Sequence, residues 1–208
     1  MQMIDSVQKE QELPPRLLAL RDELRKTLDR ALTLAENASP ESWTYVPAPG
    51  RWSVGACIEH LNATSLAFVP LLESTIGELR RQHRVSDGRY RMDVMGWVLC
   101  RSNEPPVRIK FRTKKQFDPP VVGDRDDVMR EFDRLQSELF RLIGESSGLA
   151  IDRVKIRSPF DERVRYNVYS AFRLLAAHQR RHLWQAEQVV LDFTKSRDTE
   201  VGASPSGT

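Results

Sequence analysis

The chain is predicted to be all-α, a four-helix bundle with a long crossover between its second and third helices. Three observations predict this class. Four long segments repeat apolar residues every three to four positions, the spacing of one helix face. No segment reads convincingly as a strand. The stretches between the four are rich in proline, glycine and charge, and one of them, residues 85–123, is long enough to cross the bundle.

The first helix follows "ELPP" and runs through "RLLALRDELRKTLDRALTLAEN". Pro14 or Pro15 suits an early helical position, where the missing N–H would be unpaired anyway. Leu17, Leu20, Leu24, Leu28, Ala31 and Leu34/Ala35 form its apolar stripe. "ASPESWTYVPAPGRW" reads as a connector, with three prolines and a glycine. The second helix starts at "WSVGACIEHL" with Ser53 as its cap and continues to about Arg81; Pro70 is expected to kink it. Residues 85–123 read as a loop holding one short helix over "DVMGWVLC". A connector this long in a compact domain usually serves a function.

The third helix begins near Asp124, whose neighbouring aspartates suit the positive end of the helix dipole. Val128, Phe132, Leu135, Leu139 and Leu142/Ile143 make its stripe. "SGLAIDRVKIRSPFDERVRY" follows as a connector, and the fourth helix runs from about Asn167 to Thr194. These elements are expected to form one domain over residues 1–195. The tail, residues 196–208, is expected to be disordered, since no large apolar residue follows Val201.

Composition bounds the function. The 208 residues can bury a core without staples. Thirty-two Lys and Arg against 29 Asp and Glu leave a formal charge of only +3, which permits a nucleic-acid partner without demanding one. Two scattered cysteines, Cys57 and Cys100, fit a reducing compartment. The start, "MQMIDSVQKEQELPP", has no secretory pattern, and no apolar run approaches the roughly 18 residues that span a bilayer. The expectation is a soluble cytoplasmic protein with no membrane partner.

The fourth helix carries the chemistry. In "AAHQRRHLWQAEQVV", His178 and His182 are four residues apart. They continue a stripe of Ala171, Leu174/Leu175, Gln185 and Val189, so both stand where core residues belong. Side chains in that relation have Cβ atoms about 5–6 Å apart and point the same way. Both imidazoles can reach one metal at the usual Zn–N distance of about 2.0–2.1 Å. Two ordinary buried histidines are the alternative, but each ring would need partners and a proton on one would repel the other. A cation removes the conflict. His60, on the second helix, is the candidate third ligand. It lies in line with the small side chains of Ala56, Ala63, Thr64 and Ala67, beside a bulkier face of Val54, Ile58, Leu61 and Leu72. His83 sits among charges at that helix's end and reads as a solvated residue.

"PGRWSVGACIEHLNAT", a long middle, and "HQRRHLWQAEQV" together resemble the DinB/YfiT-like family of metalloenzymes. The resemblance covers about residues 16–194. It implies a four-helix bundle with one histidine on the second helix and a His-x3-His on the fourth. It therefore implies that His60, His178 and His182 ligate one divalent metal. Arg181 falls on the same pattern, with a structural role such as pairing with a carboxylate on the third helix.

Three neutral nitrogen ligands leave an open position, the mark of a catalytic site. Zn is the default and Ni the main competitor, since imidazole suits both. The expected activity is that of a mononuclear metal-dependent enzyme, a hydrolase or a thiol-dependent transferase, on a small molecule that is anionic or a low-molecular-weight thiol. A hydrolase needs a general base near the metal-bound water. Glu59 and Glu187 are rotated away from the histidines and read as surface charges, so no catalytic residue is assigned. A thiolate is its own nucleophile and needs no such base; relatives in the resembled family include thiol-dependent transferases and isomerases. Cys57, three residues before His60, is an extra ligand, a reactive thiol or a small buried hydrophobe. Trp52, Trp97, Tyr166, Tyr169 and Trp184 are pocket walls or core. The rival reading rests on "RIKFRTKKQF", residues 108–117, whose five cations are interleaved with Ile109, Phe111 and Phe117. That mixture suits single-stranded nucleic acid or a solvated loop that draws in anions. A non-catalytic interaction bundle is the third option, and a homodimer fits any of them.

Overall fold

The computed structural model describes residues 13–106 and 122–202, with side chains to residue 199. The basic stretch 108–117 and residues 203–208 lie outside the described residues. The fold is all-α, with six helices among the described residues: α1 (Pro15–Asn37), α2 (Pro40–Thr44), α3 (Val54–Arg81), α4 (Val94–Asn103), α5 (Arg125–Glu145) and α6 (Val168–Gly202). None of them is long and apolar enough to cross a membrane.

The four long helices start where local chemistry tells them to. Pro15 occupies the first turn of α1. The Ser53 hydroxyl accepts from Ala56 N at 3.1 Å to open α3, and the Asp124 carboxylate accepts from Asp126 N to open α5. Each such cap satisfies one of the helix's orphaned donors. Pro70 stays inside α3. It is exposed, and so is Leu66 one turn before it, so the carbonyl it leaves without a donor is on the water side.

The connectors are more structured than the sequence suggests. α2 forms within the proline-rich connector because Ser39, Pro40 and Glu41 make a complete helix start: a cap bonded to Ser42 N at 3.2 Å, a proline at N1 and an acid in the first turn. The expectation of no strands is corrected as well. Lys155–Arg157 (β1) and Arg165–Asn167 (β2) pair antiparallel, with Ile156 opposite Tyr166 on the buried side. Three residues give too short an alternation to stand out in the sequence. The last helix also continues to Gly202, past the expected end at Thr194. No proline or glycine interrupts that stretch before Gly202, so propagation proceeds at little cost per residue.

Packing pairs α1 with α5 and α6, and α3 with α5 and α6. The first two long helices are therefore diagonal in the ring, which a chain of sequential neighbours would not produce. The ring encloses two apolar clusters. One holds Leu17, Leu24, Phe68, Leu139, Tyr166 and Leu175; the other holds Leu28, Trp43, Ile58, Phe132, Leu183 and Val189. Between them every long helix contributes a buried polar residue: Thr27, Thr64, Gln136 and Gln179. Thr27 Oγ1 and Gln136 Nε2 both donate to Gln179 Oε1, at 2.6 and 2.8 Å. The histidines lie in this polar layer.

Candidate metal centre

α3 and α6 bring the three histidines together. One ring nitrogen from each of His60, His178 and His182 lies within 4.8 Å of the others. His60 Nε2 and His178 Nε2 are 3.0 Å apart, and the ring of His182 is centred 4.5 Å from each of the other two. A tetrahedral ion with bonds of about 2.0–2.1 Å holds its ligand nitrogens about 3.3 Å apart, so little movement separates this arrangement from a ligand set. His60 and His182 are 2% and 6% exposed, while His178 is only half-buried.

Burial, the neighbouring imidazoles and Arg181 hold His178 and His182 well below the usual histidine range. Both are neutral at pH 7 and need lose no proton to bind a cation. Among the described residues His182 Nδ1 is buried with no hydrogen-bond partner. Buried ring nitrogens normally have one. Three imidazoles packed against one another, with one nitrogen orphaned, form a donor set that a divalent cation would complete.

The surroundings are aromatic and polar rather than acidic. Trp52 stacks on His182, with centroids 5.5 Å apart, and lies 4.8 Å from His60. Phe160 packs on His178 at 5.7 Å. Thr64 Oγ1 is 3.4 Å from His178 Nε2, and Asn103 Oδ1 is 3.3 Å from His178 Nδ1. Arg181 donates to the Ser102 carbonyl of α4.

The other candidates separate clearly. Cys57 is fully buried in the second apolar cluster, outside the histidine group, and desolvation pushes its thiol up to about 12. It is a small hydrophobe. Glu59 accepts from Gly123 N at 3.4 Å, and Glu187 makes a two-bond pair with Arg30 at 2.8 Å. Both are surface charges. His83 is exposed at the end of α3 with φ 51°. Of the five aromatic residues that the sequence singles out, only Trp52 touches the histidines among the described residues; Tyr166 and Tyr169 belong to the core, Trp97 is exposed and Trp184 is partly buried. Sequence reasoning missed Asn103 and Phe160. Both lie in segments without periodicity, where nothing local indicates which way a side chain will face.

The fold and this cluster define an all-α protein with a candidate three-histidine metal centre. A family model described as the DinB superfamily matches residues 23–186, and the chain belongs to that superfamily. No curated protein matches the chain. No solved structure matches it.

Proposed function

We propose that this chain is a metal-dependent enzyme in which His60, His178 and His182 hold one divalent cation, with Zn favoured over Ni, and that it acts on a small molecule. The observation that carries this reading is the convergence of three buried or half-buried imidazoles from two helices, two of them, His178 and His182, held neutral. Such a cation supplies Lewis acidity at its free position, polarising an oxygen or holding a thiolate. Around it, Trp52 and Phe160 wall the site, and Thr64 presents a hydroxyl beside His178.

Between the two reaction classes the surroundings favour the thiol-dependent transferase. Among the described residues no Asp, Glu or Cys joins the histidine group. A hydrolase would want a carboxylate or another base within hydrogen-bond reach of the attacking water. A thiol substrate brings its own nucleophile. A substrate that is anionic or a low-molecular-weight thiol, a homodimeric state and a cytoplasmic location complete the proposal.

Elemental analysis of protein purified without a nickel column tests it. About one equivalent of Zn or Ni per chain is expected, and His178→Ala should lose most of it while staying helical. Metal content unchanged in His178→Ala would remove the ligand assignment. The competing nucleic-acid reading, built on residues 108–117, predicts salt-sensitive binding to single strands that survives a chelator.

A further inference from the structure

We infer that Asn103, the last residue of α4, sets the tautomer in which His178 meets the metal, and with it the affinity of the centre. The inference rests on the reading of the three histidines as ligands of one cation. Two hydrogen bonds carry it. Asn103 Nδ2 donates to the Leu99 carbonyl one turn back, at 2.9 Å. Asn103 Oδ1 lies 3.3 Å from His178 Nδ1.

The first bond fixes the amide. A flipped amide would set its oxygen against the Leu99 carbonyl, two acceptors with no proton between them. The atom facing His178 is therefore an acceptor, and His178 Nδ1 must carry the proton. A neutral imidazole protonated at Nδ1 has its lone pair on Nε2. That is the nitrogen turned to the centre, 3.0 Å from His60 Nε2.

The end of α4 is built to hold this acceptor in place. Three consecutive residues there touch α6. The Ser102 carbonyl accepts from Arg181 Nη1 at 3.3 Å, Asn103 accepts from His178, and the Glu104 carboxylate pairs with Arg180. Arg180 also reaches Glu23 on α1 at 2.9 Å. Bonds on either side of Asn103 fix its register along α6. A ligand imidazole whose second nitrogen is held in this way is oriented and made more basic, and loss of such a partner typically weakens metal binding by about 10–100-fold. Asn103 is thus a positioning residue, acting through His178.

The test uses the full chain. In metal-free protein with 15N-labelled histidine, long-range 1H–15N correlation should show His178 as the Nδ1–H tautomer, with the signal assigned by its loss in His178→Gln. In Asn103→Leu that tautomer should give way to Nε2–H or a mixture. Competition of Zn2+ against a chelator should show Asn103→Leu weakened about tenfold or more, and Asn103→Asp, which keeps an acceptor oxygen, within about threefold of the wild type. An Nε2–H His178 in the wild-type protein would overturn the assignment, and so would an Asn103→Leu variant that binds Zn2+ as tightly as the wild type. His178→Ala separates the two levels. Metal retained in His178→Ala sinks the ligand set itself; metal lost there but held at full affinity in Asn103→Leu sinks only the role of Asn103.

Discussion

His178 and His182 are neutral because folding takes them out of water, beside His60 and Arg181. That state has a consequence for stability. In the unfolded chain each titrates near 6.5, whereas in the folded apoprotein each binds its proton only at much lower pH. Below about 6.5 the unfolded state therefore binds more protons, and stability falls as pH falls. The slope approaches about 1.4 kcal/mol per pH unit for each histidine. The contribution is fully present above 6.5 and is lost on acidification toward the folded-state values. Urea midpoints of the metal-free chain should drop between pH 6.5 and 5, and drop less steeply in His182→Gln. Equal slopes in the two proteins would show that His182 is not held neutral. Bound metal would delay the drop, because it occupies the same lone pairs.

At the scale of the element, α4 decides more than its ten residues suggest. Asp93 caps it through Gly96 N at 2.9 Å and also accepts from Asn167 N at 3.1 Å, tying its start to the hairpin. Gly96 lets it lie flush on α6: a Cβ there would fall 2.2 Å from Ser170 Cβ. Overlap that deep forces the helices apart, because Ser170 has no long side chain to bend away. Gly96→Ala gains up to about 1 kcal/mol in helix propensity, but overpacking typically costs about 1–3 kcal/mol, so a net loss of stability is expected. The far end of α4 carries Asn103, so Zn2+ affinity should fall along with stability. Thermal unfolding and chelator competition on one preparation check both. A variant more stable than the wild type would show that α4 does not sit so close to α6.

At the scale of the molecule, the centre occupies a polar layer between two apolar clusters, and α1, α3, α5 and α6 all contribute to that layer. The metal would bridge α3 and α6 within that layer. Binding to the native state alone stabilises it by about 2.7 kcal/mol at a hundredfold excess over Kd. For a chain of this size that corresponds to a rise in Tm of about 5–10 °C. Scanning calorimetry should show the rise on adding Zn2+ to metal-free protein, its reversal by a chelator, and its absence in His60→Ala. A rise that persists in His60→Ala would place the stabilising ion elsewhere.

The sequence by itself determined the four long helices, the cap at Ser53, the acidic start near Asp124, and the alignment of His178 with His182, because all of these depend on residues within a turn or two of one another. It marked His60 through its stripe of small neighbours, and the order of the motifs around the three histidines revealed the family. Only the tertiary structure decided that α1 and α3 lie diagonally, that "VKIR" and "VRYN" pair as strands, that Trp52 and Phe160 wall the site, and that Asn103 faces His178. These are contacts between residues far apart in the chain, some of them in segments with no repeating pattern. There the direction of a side chain is set by what packs against it, and local sequence holds no record of that.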